Sequence, residues 1–198
     1  VWRGQSVALP LPGRHSVMNA LIALAVAEAV GVGPKDAAQG LSSAEVTSLR
    51  GEVRRIGDVT VIVDCYNANP QSARAALDVL SGQSAASRTV AVLGTMLELG
   101  AAAPRLHEEV LRFALDSDID LVVATGDFAA SAEVVAPGDE RVLRADDWQS
   151  AYPALRDRLE GDEIVLLKAS RGVALEGLLP LLEADFGNGE SHQSVGEA

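Results

Sequence analysis

The chain has 198 residues, 48% hydrophobic and 4% aromatic, with 16 Lys and Arg against 28 Asp and Glu for a net charge of −12. At roughly 150 residues per domain, that is one domain, or one domain plus a piece of another. The apolar content excludes a disordered chain, and the acidity argues against bulk nucleic-acid binding and against an anionic membrane surface.

Ser16 is a candidate N-cap for a helix over Ser16 to Val30, with Gly31 as its stop. Val17, Leu21 and Leu24 share one face and Ala20, Ala23 and Ala27 an adjoining one, so this helix is expected to be largely buried. Pro34 opens a shorter helix that ends near Gly40, and residues 42–51 read as an irregular linker. The pattern then changes to alternating strand and helix. Glu52–Ile56 and Val59–Val63 flank Gly57-Asp58, a hairpin turn signal. Val59–Val63 is apolar on both faces, as a central strand requires. Asn69-Pro70 supplies an N-cap and a first-turn proline for a helix whose stripe is Ala73, Leu77 and Leu80. Thr89–Leu93 is a strand, Pro104–Leu115 a helix, Leu121–Ala124 a strand, and Phe128–Val135 a helix closed by Pro137-Gly138. Arg141–Leu143 is a short strand before a helix capped by Asp146. Ile164–Leu167 is the last strand, and a final helix runs from about Gly172 to Glu183. Residues 187–198 show no periodicity and are expected to be a disordered tail.

Strands separated by helices of this length imply right-handed βαβ units, hence an α/β fold with a mostly parallel sheet and helices on both faces. Ligands of such sheets sit beyond the carboxyl ends of the strands. Four segments therefore become candidates for chemistry: residues 64–69, 94–100, 125–127 and 168–172.

Several chemistries are excluded first. Cys65 is the single cysteine, so neither an intrachain disulfide nor a multi-thiolate metal site is possible, which suits a reducing cytoplasm. The apolar run Ala20 to Ala27 is far shorter than the roughly 20 residues of a membrane span, so no membrane insertion is expected. Arg3, Gln5 and two prolines break any signal-peptide pattern. No G-x-x-x-x-G-K-[ST] loop occurs, Gly31-Val-Gly33 lies between two helices, and Lys168-Ala-Ser-Arg-Gly172 lacks the first glycine of a nucleophile elbow. His15, His107 and His192 are far apart; His107, early in a helix, is expected to pack or face solvent rather than bind metal.

Polar residues remain at four places. Arg14 and His15 precede a helix N-terminus, a natural anion site, and the Asn19 amide suits an adenine edge, although a helix-packing amide is the simpler reading. Asp64, at a strand's carboxyl end, is positioned to accept from ribose hydroxyls, with Tyr66 and Asn67 facing the same crevice and Asn69 serving as a cap. Gly94 to Gly100 describes a compact loop. Lys168 at a strand end, with Ser170 and Arg171 before a helix, makes a pocket for a carboxylate or phosphate. The structural alternative has Lys168 paired with a neighbouring Asp or Glu and Ser170 as an N-cap.

In this order and spacing the segments resemble the Mur ligase family. Tyr66-Asn-Ala-Asn-Pro70 followed by Met96-Leu-Glu-Leu-Gly100 is similar to its D-alanyl-D-alanine-adding branch. Gly13-Arg-His with Asn19-Ala-Leu21 resembles the family's shared helix motif, and Lys168-Ala-Ser-Arg a familiar variant near its end. The resemblance covers about residues 8–185. It implies that residues 1–50 are the helical end of a central ATPase domain and residues 51–186 a Rossmann-like C-terminal domain. The first residue is Val, and the chain reads as the C-terminal part of a longer protein. The phosphate loop and the ligands for Mg2+ would then lie upstream.

The implied reaction uses ATP to activate the carboxylate of UDP-MurNAc-tripeptide as an acyl phosphate, from which the amine of D-alanyl-D-alanine then displaces phosphate. By resemblance His15, Asn19, Arg50 and Asp64 serve the nucleotide, Asn19 at the adenine, Arg50 near the phosphates and Asp64 at the ribose. Tyr66, Asn67, Asn69, Lys168, Ser170 and Arg171 face the dipeptide or the acyl phosphate. Arg50 and Asp64 are expected to be substantially exposed. A bacterial cytoplasmic monomer, inert as this piece alone, is the expectation. Ser16, Val63 and Thr95 depart from the family's usual residues, Asn at the first and acids at the other two. Two alternatives stay open: a non-catalytic nucleotide- or peptide-binding module of the same fold, and another ligase of the superfamily such as folylpolyglutamate synthase, against which Tyr66 to Pro70 argues.

Overall fold

The computed structural model describes residues 1–9, 14–44, 48–84 and 87–187. The tail expected over 187–198 therefore lies, from residue 188 on, outside the described residues, as does the Leu11–Gly13 part of the first motif.

Two helices come first, α1 (Arg14–Ala29) and α2 (Pro34–Ser42). Gly31 stops α1 as expected: at φ +86° it lets the Gly31 and Val32 N–H groups return to the Glu28 and Ala27 carbonyls. Ser16 is not the cap. The helix begins two residues earlier, and Ser16 lies inside it, buried. The expected burial of α1 is also corrected. Ala20 and Leu24 are buried, but Val17, Met18, Leu21, Ile22 and Val26 are exposed. α1 packs on α2, and its apolar surface is too wide for that one small partner to cover.

Six strands follow: β1 (Glu52–Ile56), β2 (Val59–Asp64), β3 (Thr89–Leu93), β4 (Leu121–Thr125), β5 (Val142–Ala145) and β6 (Ile164–Lys168). They form one sheet in the order β1-β2-β6-β3-β4-β5. Only the β1–β2 hairpin is antiparallel, closed between Ile56 and Val59 by Gly57 at φ +58°. The strands alternate their side chains between two cores. Val90 and Val92 face one core with Val61, Val63, Val165 and Leu167, beneath α6 (Trp148–Arg156) and α7 (Leu179–Phe186). Ala91 and Leu93 face the other with Val122 and Leu166, beneath α3 (Pro70–Ser81), α4 (Ala103–Asp116) and α5 (Asp127–Val135). The sheet thus carries helices on both faces.

Two further helix starts differ from expectation. α6 is capped by Asp147, not Asp146, because only Asp147 has a serine at N3: Oδ1 accepts from the Ser150 N–H at 2.7 Å. The final helix is broken. Short 3-10 turns cover Arg171–Val173 and Leu175–Leu178, Ala174 between them sits at φ +54°, and Pro180 opens α7 rather than continuing an earlier helix.

Candidate functional site at the strand ends

The chain leaves β2 and β3 toward α3 and α4 on one face and leaves β6, between them, toward α7 on the other. Such a divergence opens a crevice at the carboxyl ends of the strands. Register fixes its floor: Lys168 stands beside Asp64 on one side and Leu93 on the other.

Lys168 does not open into the crevice as the ligand reading expected. Its side chain is 2% exposed, and Nζ pairs with Asp64 Oδ2 at 2.9 Å. The ammonium also donates to the Asp64 and Asn67 carbonyls. An ammonium withdrawn from water needs such replacements, and three oxygens supply them. Asp64 is in turn half-buried, its side chain 24% exposed, rather than freely solvated.

The loop after β2 is ordered by its own side chains. Asn69 Oδ1 accepts from the Ser72 N–H and Ser72 Oγ from the Asn69 N–H, a reciprocal cap at the start of α3. Asn69 is therefore the cap the Asn-Pro pair predicted. Asn67 turns its Oδ1 onto the Ala68 N–H at 2.8 Å. Tyr66 is exposed, and the Arg50 guanidinium lies 3.8 Å from its ring centre. The backbone supports this stack: the Tyr66 N–H donates to the Leu49 carbonyl at 3.0 Å, and Leu49 at φ +66° and Gly51 at φ +70° carry the chain past Arg50.

Ser170 is buried and caps nothing with its side chain. Its hydroxyl accepts from the Leu97 N–H at 2.9 Å and donates to the Ala68 carbonyl, while its own N–H donates to the Thr95 carbonyl. The capping reading of this serine gives way to a tie between the loops after β2 and β3. Arg171 is exposed and pairs with Glu176 Oε1 at 2.6 Å. Glu176 was not singled out from the sequence; a spacing of five in irregular chain carries no signal.

The 94–100 loop has a second anchor. His107, fully buried, accepts the Met96 N–H at Nε2 (2.9 Å), with Nδ1 2.7 Å from the Ala103 carbonyl and its ring edge-on to Phe128. Nδ1 is then the protonated nitrogen, and the packing role expected of His107 holds. Gly94 is required by closeness: a Cβ there would lie 2.9 Å from the Ala169 Cβ. Thr95 accepts the Asp127 N–H at the start of α5 at 3.0 Å. Val63 is fully buried on the opposite side of β2 from Asp64's crevice neighbours.

His15 and Asn19 belong to α1, away from this cluster in the chain. His15 lies in its first turn; Asn19 is exposed and makes no side-chain hydrogen bond to the cluster among the described residues. A shallow apolar cleft between α1 and α2, lined by Leu24 and Leu41, shares no residue with the crevice. Among the described residues no group of three His, Cys, Asp or Glu is placed to hold a metal, and no helix is long and apolar enough to cross a membrane. Cys65 is buried, and burial pushes its thiol up to about 12.

Residues 49–171, more than half of the chain, match the C-terminal domain of Mur ligases, described as the glutamate ligase domain. The chain is 36% identical over 188 residues to the UDP-N-acetylmuramoyl-tripeptide–D-alanyl-D-alanine ligase of Treponema pallidum, covering 93% of this chain and 40% of that protein. It superposes on a crystal structure of MurF from Acinetobacter baumannii with a TM-score of 0.81 at 32% identity, over 90% of this chain and 39% of that one. For MurF of Thermotoga maritima in complex with ADP the TM-score is 0.70 at 25% identity, over 89% and 39%. The chain therefore spans about two fifths of the length of the relatives it matches.

Proposed function

The chain belongs to the Mur ligase family, and on that premise we propose that it is the C-terminal part of the ATP-dependent ligase that joins D-alanyl-D-alanine to UDP-MurNAc-tripeptide in cytoplasmic peptidoglycan synthesis. The observation that carries this reading is convergence. The Tyr66–Pro70 and Met96–Gly100 segments, separated in the chain by α3 and β3, are tied to one another at a single crevice through Ser170.

Residues 1–50 are the end of the ATP domain in this reading, and the exposed apolar face of α1 is its seam with the rest of that domain. Burying the exposed remainder of Met18, Ile22 and Val26 there stabilises the joint by roughly 1–2 kcal/mol per side chain. Residues 51–186 form the domain that closes over the nucleotide. Asp64, half-buried with Oδ2 held by Lys168, offers a fixed acceptor for a ribose hydroxyl. The exposed Arg50 guanidinium offers positive charge to the phosphates. These two groups fit ATP; no group placed to hold a metal occurs among the described residues, and in this reading the ligands for Mg2+ belong to the rest of the enzyme. ATP supplies the leaving phosphate that makes the tripeptide carboxylate an acceptor, and this chain's residues hold and orient its ligands.

Phosphate release from Mg-ATP with both substrates tests the reading. The complete enzyme carrying this chain is expected to turn over only when D-alanyl-D-alanine is present, and the 198-residue chain alone is expected to be inert. Turnover by the chain alone, or none by the complete enzyme, overturns it.

A further inference from the structure

We propose that Tyr66 is the positioning residue for Arg50, so that the loop facing the dipeptide also sets the guanidinium that meets the nucleotide phosphates. This rests on the nucleotide role given to Arg50 above and adds to it a coupling between the two ends of the site.

The geometry is specific. The Arg50 guanidinium carbon is 3.8 Å from the Tyr66 ring centre, well inside the roughly 6 Å limit for a cation held over an aromatic face. Arg50 makes no salt bridge among the described residues, although Glu52 is two residues away and Asp64 two residues before the ring. Both carboxylates are already engaged: Glu52 by Arg54 at 2.9 Å and by the Leu49 N–H, and Asp64 by Lys168. The tyrosine ring is thus what orients the cation. Because a ring face is a weaker hold than a carboxylate, the five N–H donors stay available to an incoming phosphate.

The backbone makes the stack a unit of the C-terminal domain. The Tyr66 N–H to Leu49 carbonyl bond fixes the two chain segments side by side. The Asn67 carbonyl, one residue on, is held by Lys168, and the Ala68 carbonyl by Ser170. A ligand that displaces or orders the Tyr66 ring therefore moves or orders Arg50.

The test is a set of variants in the complete enzyme, read as separate KM values for ATP and for D-alanyl-D-alanine. Arg50→Ala comes first: a raised ATP KM or lowered kcat establishes the nucleotide role, and its absence defeats that role independently of Tyr66. Tyr66→Leu, at an exposed loop position, is expected to raise the ATP KM or lower kcat by roughly two- to fivefold, the worth of an exposed cation–π contact. Tyr66→Phe keeps the face and is expected to restore the ATP KM. In the Arg50→Ala background, Tyr66→Leu is expected to have no further effect on ATP. If Arg50→Ala impairs ATP use while Tyr66→Leu changes only the dipeptide KM, or if the two effects multiply, the coupling is refuted.

Discussion

Lys168 Nζ and Asp64 Oδ2 are 2.9 Å apart across adjacent parallel strands, with the lysine side chain almost wholly enclosed. The ammonium thus holds the carboxylate together with the Asp64 and Asn67 carbonyls. This relationship changes what substitution at either residue is expected to do.

Lys168→Met leaves Asp64 without its counter-charge and two loop carbonyls without a donor. The expected loss is about 1–3 kcal/mol in urea unfolding. Asp64→Ala leaves an enclosed ammonium short of an anion, so it too should lower the urea midpoint, where a freely solvated aspartate would not. A midpoint unchanged by both variants contradicts the pair.

Asn69→Ala removes the side-chain acceptor at the start of α3. A loss of about 1 kcal/mol is expected, and Asn69→Ser or Asn69→Asp should recover most of it. Equal losses for all three substitutions count against the cap.

Cys65 should resist a thiol-specific disulfide reagent in the native state and react after unfolding. Burial, helped by the nearby Glu176 and Asp64 charges, raises its thiol from 9.0 to about 12. A raised acid favours the native state fully below the unfolded value. Its contribution is lost as pH climbs through about 9 toward 12. Rapid native labelling at pH 8 contradicts this environment.

Acid acts through other groups. Asp139 is held below its usual 3.8 by hydrogen bonds from Arg141, Asp147 by the Ser150 N–H and hydroxyl, and Glu52 below 4.5 by Arg54. Depressed carboxyls stabilise the native state above their unfolded values, and that stability disappears as pH falls through the folded ones. Melting temperature should therefore be flat from about pH 7 to 5 and decline below about 4. Since Asp147 is exposed and Asp139 and Glu52 are partly so, 0.5 M salt should shrink the decline.

The strands were legible because their residues allow no other reading. Thr89–Leu93 is apolar on both faces and bounded by polar chain, and the structure buries all five residues. Asn69-Pro70 was legible because cap chemistry is local. The direction of a side chain at a strand end is not local. Lys168 is at the predicted place, but its orientation depends on Asp64, 104 residues earlier in the chain. The break at Ala174 was invisible for another reason: alanine gives no sign of a positive φ, which the packing of Leu175 and Leu178 into the core imposes. For α1 the alanine and leucine pattern describes a helix that needs covering, and periodicity cannot say where the cover comes from.

The Ser170 hydroxyl gives the crevice a natural reporter. The Leu97 side chain is exposed, yet its amide is held by a buried oxygen supplied from Ser170, just beyond the end of β6. Hydrogen exchange at that single amide therefore reads the bond between two strand-end loops, not the solvent accessibility of its own residue. Slow exchange at Leu97 beside faster exchange at Glu98 would mark an assembled crevice. A ligand that tightens the loops would lengthen the Leu97 lifetime, and one that parts them would shorten it, each without an assay of turnover.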